Sequence, residues 1–300
     1  MDSGYNSSSS SSETEKDRIS NLPDSLVHHI LSFMDIKYAV QSCVWSRRWR
    51  YIWISLPFLR FSDAIHYYDK EDSTDEELEQ ATKRYVKFVN QVLDHRDNTD
   101  ILRFHLKFSS LRPTVSEIRR WVDTAVSRNV QELVLKSYVQ GLMYNFKTVP
   151  EDGIEIPPCL LTCQSLTKME LELCGLEHYD DYKIILPNEM SLPRLKSLRL
   201  SLEEMSFNDE KLTNRFFSSF PSLETMILEM GSYGIHHMNL HISFPKLKYF
   251  KFDSQNYESN CEVKLHAPSL SSFIFDSHMS TSFTVENLSS LATADINTNE

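Results

Sequence analysis

The chain has 300 residues, 41% of them hydrophobic and 24% charged, with a formal net charge of −11, enough for one small module and one larger domain. The acidic balance argues against nucleic acid as the main partner. No apolar run is long enough to span a membrane.

Residues 1–15 are Ser-rich and acidic with no hydrophobic core segment. They are expected to form a disordered tail and not a secretory signal. Residues 16–61 read as three short helices. Pro23 suits a first helical position, where its missing N–H costs nothing. Leu26, Ile30 and Met34 recur every four residues beside Val27 and Leu31, which makes one wide apolar face. A break at 35–37 precedes a second segment, 38–45, with Ala39, Val40, Cys43 and Val44. A third, 46–54, places Trp49 and Trp53 four apart. Three of the four tryptophans, Trp45, Trp49 and Trp53, fall in this stretch. So small a bundle cannot enclose all of its apolar faces. The remainder is a candidate docking face, or it packs on the rest of the chain. The stretch carries seven basic and three acidic residues, so its partner would be acidic.

The run Leu22-Pro23-Asp24, Leu26, Ile30-Leu31-Ser32-Phe33, Ala39-Val40, Val44, Ser46, Arg48-Trp49-Arg50 and Trp53 resembles an F-box, in the form that opens the plant F-box/leucine-rich-repeat families. Met34-Asp35 stands where that family usually has Leu-Pro, and Cys43 and Trp45 replace a usual Ser and Leu. The resemblance implies a docking surface for the Skp-type adaptor of an SCF (Skp–cullin–F-box) ubiquitin ligase. The residues assigned to that contact are Leu22, Pro23, Leu26, Ile30, Leu31, Val40 and Val44.

Residues 62–97 are read as a linker and an amphipathic helix. An acidic loop at 69–79 leads into a helical pattern from 76 to about 95, with Leu78, Ala81, Tyr85, Phe88, Val89, Val92 and Leu93 on one face. A second helix is expected over 114–128, capped by Thr114 or Ser116, with Ile118, Trp121, Val122, Ala125 and Val126 inward.

From 98 to 300 one phrase recurs: an apolar anchor, an apolar residue three on, and another two later. It reads Ile101–Phe104–Leu106–Phe108, Val130–Leu133–Leu135, Leu166–Met169–Leu171–Leu173 and Leu195–Leu198–Leu200–Leu202. Then follow Leu223–Met226–Leu228–Met230, Leu247–Phe250–Phe252, Leu270–Phe273–Phe275 and a degenerate Leu288–Leu291–Thr293. Pro193, Pro221, Pro245 and Pro268 each stand two before an anchor, where they would end one coil and admit the chain to the next strand. Alternating residues after the anchor point one way from a short strand. Stacked in parallel, these strands would bury one continuous core, the signature of a leucine-rich-repeat solenoid. The fold class expected is therefore α+β or α/β: a three-helix F-box followed by about eight irregular repeats on a parallel sheet. The run WVDTAVSRNVQELVL, 121–135, resembles the first repeats of the plant F-box/LRR families. Many relatives carry a further C-terminal FBD domain, and none is expected here.

Catalytic patterns are absent. The six glycines are scattered and form no phosphate-binding loop. There is no nucleophile elbow and no zinc-protease helix. Five cysteines, an odd number, suit a reducing compartment. Cys159, Cys163, Cys174 and His178 lack paired zinc-ligand spacing, so no metal and no cofactor are expected. His28-His29 is read as a helix flank. His236-His237, in a loop between repeats, is a candidate target contact. The reading is a non-enzymatic substrate-recognition subunit of an SCF-type E3 ubiquitin ligase in the nucleus or cytoplasm. It would bind the adaptor, and through it a cullin, while the repeats hold a target protein. The alternatives are a non-degradative interaction protein, in which the bundle only caps the solenoid, and a small-molecule receptor with a pocket in the repeats.

Overall fold

The computed structural model describes residues 22–45, 47–63, 74–111, 113–137, 154–174, 183–203, 206–207, 209–231, 239–254, 262–278 and 282–299. The N-terminal tail and the His236-His237 loop lie outside them. In chain order the first elements are α1 (Asp24–Leu31), α2 (Ile36–Gln41), 3-10 helices at Ser42–Val44 and Ile52–Ser55, β1 (Phe58–Ser62), α3 (Asp75–Asp94), β2 (Arg103–Phe108), α4 (Val115–Ser127) and β3 (Glu132–Ser137). Then come β4 (Ile154–Glu155), α5 (Pro158–Leu161), β5 (Lys168–Cys174), β6 (Lys183–Ile185), β7 (Ser197–Glu203), β8 (Ser206–Phe207), α6 (Glu210–Ser218) and β9 (Thr225–Met230). The last are β10 (Asn239–Ser243), β11 (Tyr249–Ser254), β12 (Glu262–His266), β13 (Ser272–His278), β14 (Ser282–Glu286) and β15 (Thr293–Asn299).

Nine strands form one parallel sheet in the order β1-β2-β3-β5-β7-β9-β11-β13-β15. Each strand joins the one from the coil before it, as the recurring phrase predicts. The inward pair is buried in most of the phrases, as in Phe104 with Leu106, Leu198 with Leu200, Met226 with Leu228, and Phe250 with Phe252, whereas Leu135 of β3 is half-buried and Ala294 and Ile296 of β15 are exposed. The residue after each anchor ties the coils together. The carbonyl of Pro57 accepts the N–H groups of Leu102 and Arg103, that of Gln131 those of Thr167 and Lys168, and that of Lys248 those of Ser271 and Ser272. One carbonyl per coil thus satisfies two donors of the next, at a bend where neither sheet nor helix would pair them.

Three sequence expectations need correction. Leu56–Leu59–Phe61 has the spacing of the phrase and supplies β1, a ninth strand before the eight expected; Leu59 pairs with Phe104 and Phe61 with Leu106. The final copy is shifted. Phe273 pairs with Ala294 and Phe275 with Ile296, so its anchor is Leu291 and the phrase is Leu291–Ala294–Ile296. Leu288 belongs to the turn before it, where its carbonyl accepts the Leu291 N–H. Leu192, Phe220, Phe244 and Ala267 hold the same place in earlier coils, accepting from Leu195, Leu223, Leu247 and Leu270. The recurrent prolines therefore occupy the second position of a hydrogen-bonded turn, where their fixed φ is pre-set. Third, where a third bundle helix was expected, turns and the 3-10 helix at Ile52–Ser55 take its place. β-branched and aromatic side chains there favour helix weakly, and Trp49 and Ile52 reach the core without it.

The outer layer changes along the solenoid. Helices α3, α4 and α6 back earlier coils. Both α3 and α4 open with reciprocal capping boxes, Thr74 with Glu77 and Thr114 with Glu117. In the last coils a second parallel sheet, β10-β12-β14, replaces helices. Helix α6 covers the first edge of that sheet: Asn214 donates to the Asn239 carbonyl and accepts from the His241 N–H, and Glu210 accepts from the Asn239 N–H. The bundle and the coils share one hydrophobic cluster, from Val27 and Leu31 through Trp121 to Phe275.

Candidate functional site

Helix α1 has two apolar faces. Val27 and Leu31 point into the shared core. Leu26, Ile30 and Phe33, spaced four and three apart, lie on the other side and are 48%, 40% and 68% exposed. Pro23 caps the helix without a side-chain bond, and its carbonyl accepts the N–H groups of Leu26 and Val27. Helix α2 repeats the division: Ile36 and Ala39 are buried and Tyr38 is exposed. The 3-10 turn that follows buries Ser42, whose hydroxyl donates to the Ala39 carbonyl at 2.7 Å. That turn leaves Val44 81% and Trp45 61% exposed. The Trp45 ring lies 5.2 Å from that of buried Trp49, an anchored ring in an exposed setting. Arg48 pairs with Asp24, joining the turn to the start of α1, and its guanidinium holds the Asp24 carboxyl below the usual range.

Of the seven residues assigned to docking, Pro23, Leu26, Ile30 and Val44 are exposed, Leu22 and Val40 are half-buried against the core, and Leu31 is buried inside it. Phe33, Tyr38, Trp45 and Tyr51 are exposed large apolar side chains that the sequence reasoning left out. The missed signal was spacing: Phe33 continues the Leu26–Ile30 stripe by three residues.

Asp35 holds the unit to the solenoid. It caps α2 by accepting the Lys37 N–H at 2.8 Å and, through its second oxygen, accepts the Ser62 N–H of β1 at 2.8 Å. Burial pushes its carboxyl up to about 6, against the opposing effect of both N–H groups and the Lys37 and Arg60 charges. Asp63, fully buried, accepts from the N–H groups of Ser109, Ser110 and Leu111, fixing the turn after β2. The bundle therefore closes the first edge of the sheet and leaves another apolar surface outward.

The open face of the sheet is the second candidate surface. Outward residues align in rows set by the strand register. One row reads Arg60, His105, Val134, Glu170, Arg199, Ile227, Lys251, Ile274 and Asp295. Ion pairs cross its middle. Lys136 meets Glu170 at 2.6 Å and Glu172 at 2.9 Å, Arg199 meets Glu229 at 2.9 Å, and Lys251 meets Glu229 at 3.3 Å and Asp253 at 3.1 Å. Burial works against the Lys136 charge, but bonds to both glutamates outweigh it and hold its pKa above the ordinary value.

The remaining candidates separate. His29 is exposed and stacks edge-on to Phe33, and half-buried His28 lies 3.4 Å from the Ser55 hydroxyl. Cys159 donates to Asp123 at 2.6 Å, and burial with that carboxylate pushes its thiol up to about 12. Buried Cys163 contacts the Ser165 hydroxyl at 3.3 Å. The Cys174 side chain and His178 lie outside the described residues. Among the described residues no group of three or more His, Cys, Asp or Glu could hold a metal ion, and no helix is long and apolar enough to cross a membrane.

Comparison with known proteins yields two family matches. Residues 19–61 match the F-box domain, and residues 118–294 match the repeats described as "FBD-associated F-box protein At5g56370, LRR repeats". Among curated relatives, the F-box/FBD/LRR-repeat protein At4g00160 of Arabidopsis thaliana is 35% identical over 72% of this chain and 42% of its own length. The F-box/LRR-repeat protein At3g58930 of the same plant is 27% identical over 94% of this chain and 55% of its own. The F-box/FBD/LRR-repeat protein At1g78750, also from Arabidopsis thaliana, is 28% identical over 95% and 58%. The chain thus spans about half the length of the curated relatives it matches. No solved structure matches.

Proposed function

This chain belongs to the FBD-associated F-box/LRR-repeat family, and we propose that it is the substrate-recognition subunit of an SCF-type E3 ubiquitin ligase. The F-box docks to a Skp-type adaptor, and through it to a cullin, while the solenoid holds a target protein. The observation that carries the reading is the exposed apolar set on the F-box, Leu26, Ile30, Phe33, Val44 and Trp45, left over after the same helices have joined the solenoid core. Monomeric surfaces rarely leave so many large apolar groups in one small unit without a partner. The seven basic residues of the stretch suit an acidic partner and mainly speed encounter. The protein performs no chemistry in this reading. It raises the effective concentration of a target lysine near a charged ubiquitin-conjugating enzyme. Its place of action is the nucleus or the cytoplasm.

A second reading has its own support. The Asp35–Ser62 bond and the shared core are what a solenoid cap requires, and a non-degradative interaction protein needs nothing more from the bundle. Mixing the full chain with purified Skp-type adaptor and cullin separates the two. The ligase reading expects all three to co-elute on size exclusion. Failure of the intact, folded chain to carry the adaptor would leave the capping role alone.

A further inference from the structure

The nine-stranded sheet and the outer sheet β10-β12-β14 are closed at their first edges and open at their last. The helical bundle covers β1, where Asp35 accepts the Ser62 N–H. Helix α6 covers β10 through Asn214 and Glu210. Beyond β15 and β14 no further strand pairs among the described residues. The core between the two sheets is uncovered at this end too. The Phe283 ring of β14 lies within 5.9 Å of the rings of Phe250, Phe252, Phe273 and Phe275, yet it is only half-buried. On β15, Ile296 extends the inward row from Phe275 and is 63% exposed, and Leu288 of the preceding turn is exposed as well. Natural edge strands are commonly kept from pairing by Pro or Lys, but Thr293–Asn299 and Ser282–Glu286 contain no Pro, Lys or Arg.

We propose that this end of the solenoid pairs with the same end of a second copy of the chain, β15 against β15 and β14 against β14, in a two-fold dimer. Coverage selects the occupant. An extended segment of another protein can lengthen one sheet, but it leaves the other edge and the phenylalanines between them exposed. A two-fold axis running from one sheet to the other covers all of them at once. It sets each edge antiparallel to its own copy and keeps the inward side chains over one shared core. Directly opposed residues of an antiparallel pair lie on the same face, so the axis must pass through a residue of β15. Centred on Ile296, it sets Ile296 opposite itself, Ala294 opposite Thr298 and Asp295 opposite Asn297 of the second copy. Centring on Asp295 would oppose like charges, which is destabilising, and centring on Asn297 would set Ile296 against Thr298. Charge and apolar matching therefore agree on one register. On β14, centring on Thr284 sets Phe283 against Val285 and Glu286 against Ser282, so no like charges meet there either. The F-box lies at the other end of the sheet, so both copies keep it free, and the dimer is independent of the adaptor role.

The test is analytical ultracentrifugation of the full chain over concentrations from about 0.1 to 100 µM. The mass should rise from that of one chain toward twice that value. Ile296→Lys sets two like charges opposite each other on the axis and should weaken association about tenfold or more. Asn297→Lys brings a cation opposite Asp295 of the second copy and should tighten association severalfold. Both positions are exposed in one chain, so the variants should melt like the wild type in dilute solution. A folded wild type that keeps the mass of one chain throughout, as it would were these edges meant for a target's own strand, overturns the proposal. So does undiminished association of Ile296→Lys, or weaker association of Asn297→Lys.

Discussion

Asp35 illustrates how one side chain can serve fold and orientation together. In the structure its two oxygens reach two elements, the start of α2 and the edge of β1. Its linkage to pH follows from burial. Folded Asp35 keeps its proton up to about pH 6, whereas an unfolded chain releases it near 3.8. Between those values the folded state binds more protons, so stability falls as pH rises through the window, and above about 6 the loss is complete. The full shift is worth roughly 3 kcal/mol at most. Measured by denaturant titration, the wild-type stability relative to Asp35→Asn should therefore decline from pH 4 to pH 6 and then level off. A parallel pair of pH curves would show that Asp35 ionises freely in the fold. At the same scale Leu31 was legible as apolar but not as buried. A helix stripe of alternating exposed and core positions cannot reveal which side faces a neighbour until that neighbour, here the solenoid, is in place.

At the scale of elements, what the sequence shows depends on how long a pattern repeats. Seven strands were legible because an anchor and two alternate apolar residues recur with a turn before them. Helix α4 was legible from its periodicity and from Thr114 as cap. β1 was hidden because its Leu56–Leu59–Phe61 phrase abuts the helical stretch and the next copy starts only at Ile101. The outer strands β10, β12 and β14 were hidden because each shows little more than two apolar positions, such as Leu240 and Ile242. Coil length explains why strands replace helices there: the anchors Leu223, Leu247, Leu270 and Leu291 stand closer together than those before them, leaving no room for a helical crossing. The capping box is the testable element. Thr114→Ala removes one oxygen from the Glu117 N–H and should destabilise the protein by about 1 kcal/mol, read as a lower denaturant midpoint at unchanged slope. No shift would mean that tertiary packing alone sets the start of α4.

For the molecule as a whole, the decisive feature is that the F-box is not a bead on a string. Its buried face, Val27, Leu31, Ile36, Ala39 and Trp49, continues the solenoid core, while Leu26, Ile30, Phe33, Val44 and Trp45 stay exposed. That division would fix the orientation of the repeats relative to anything docked on the F-box, as the proposed adaptor role requires. It also sets apart two kinds of variant. Truncating a buried position such as Leu31 should cost about 2–5 kcal/mol of stability, whereas changing an exposed one should cost little. The most direct measurement is calorimetric titration of a Skp-type adaptor into the wild type and into Ile30→Asp/Val44→Asp, with a thermal melt of each. The account predicts binding by the wild type, a loss of about tenfold or more in the variant, and melting temperatures that agree closely. A variant that melts like the wild type and still binds the adaptor with full affinity would contradict it.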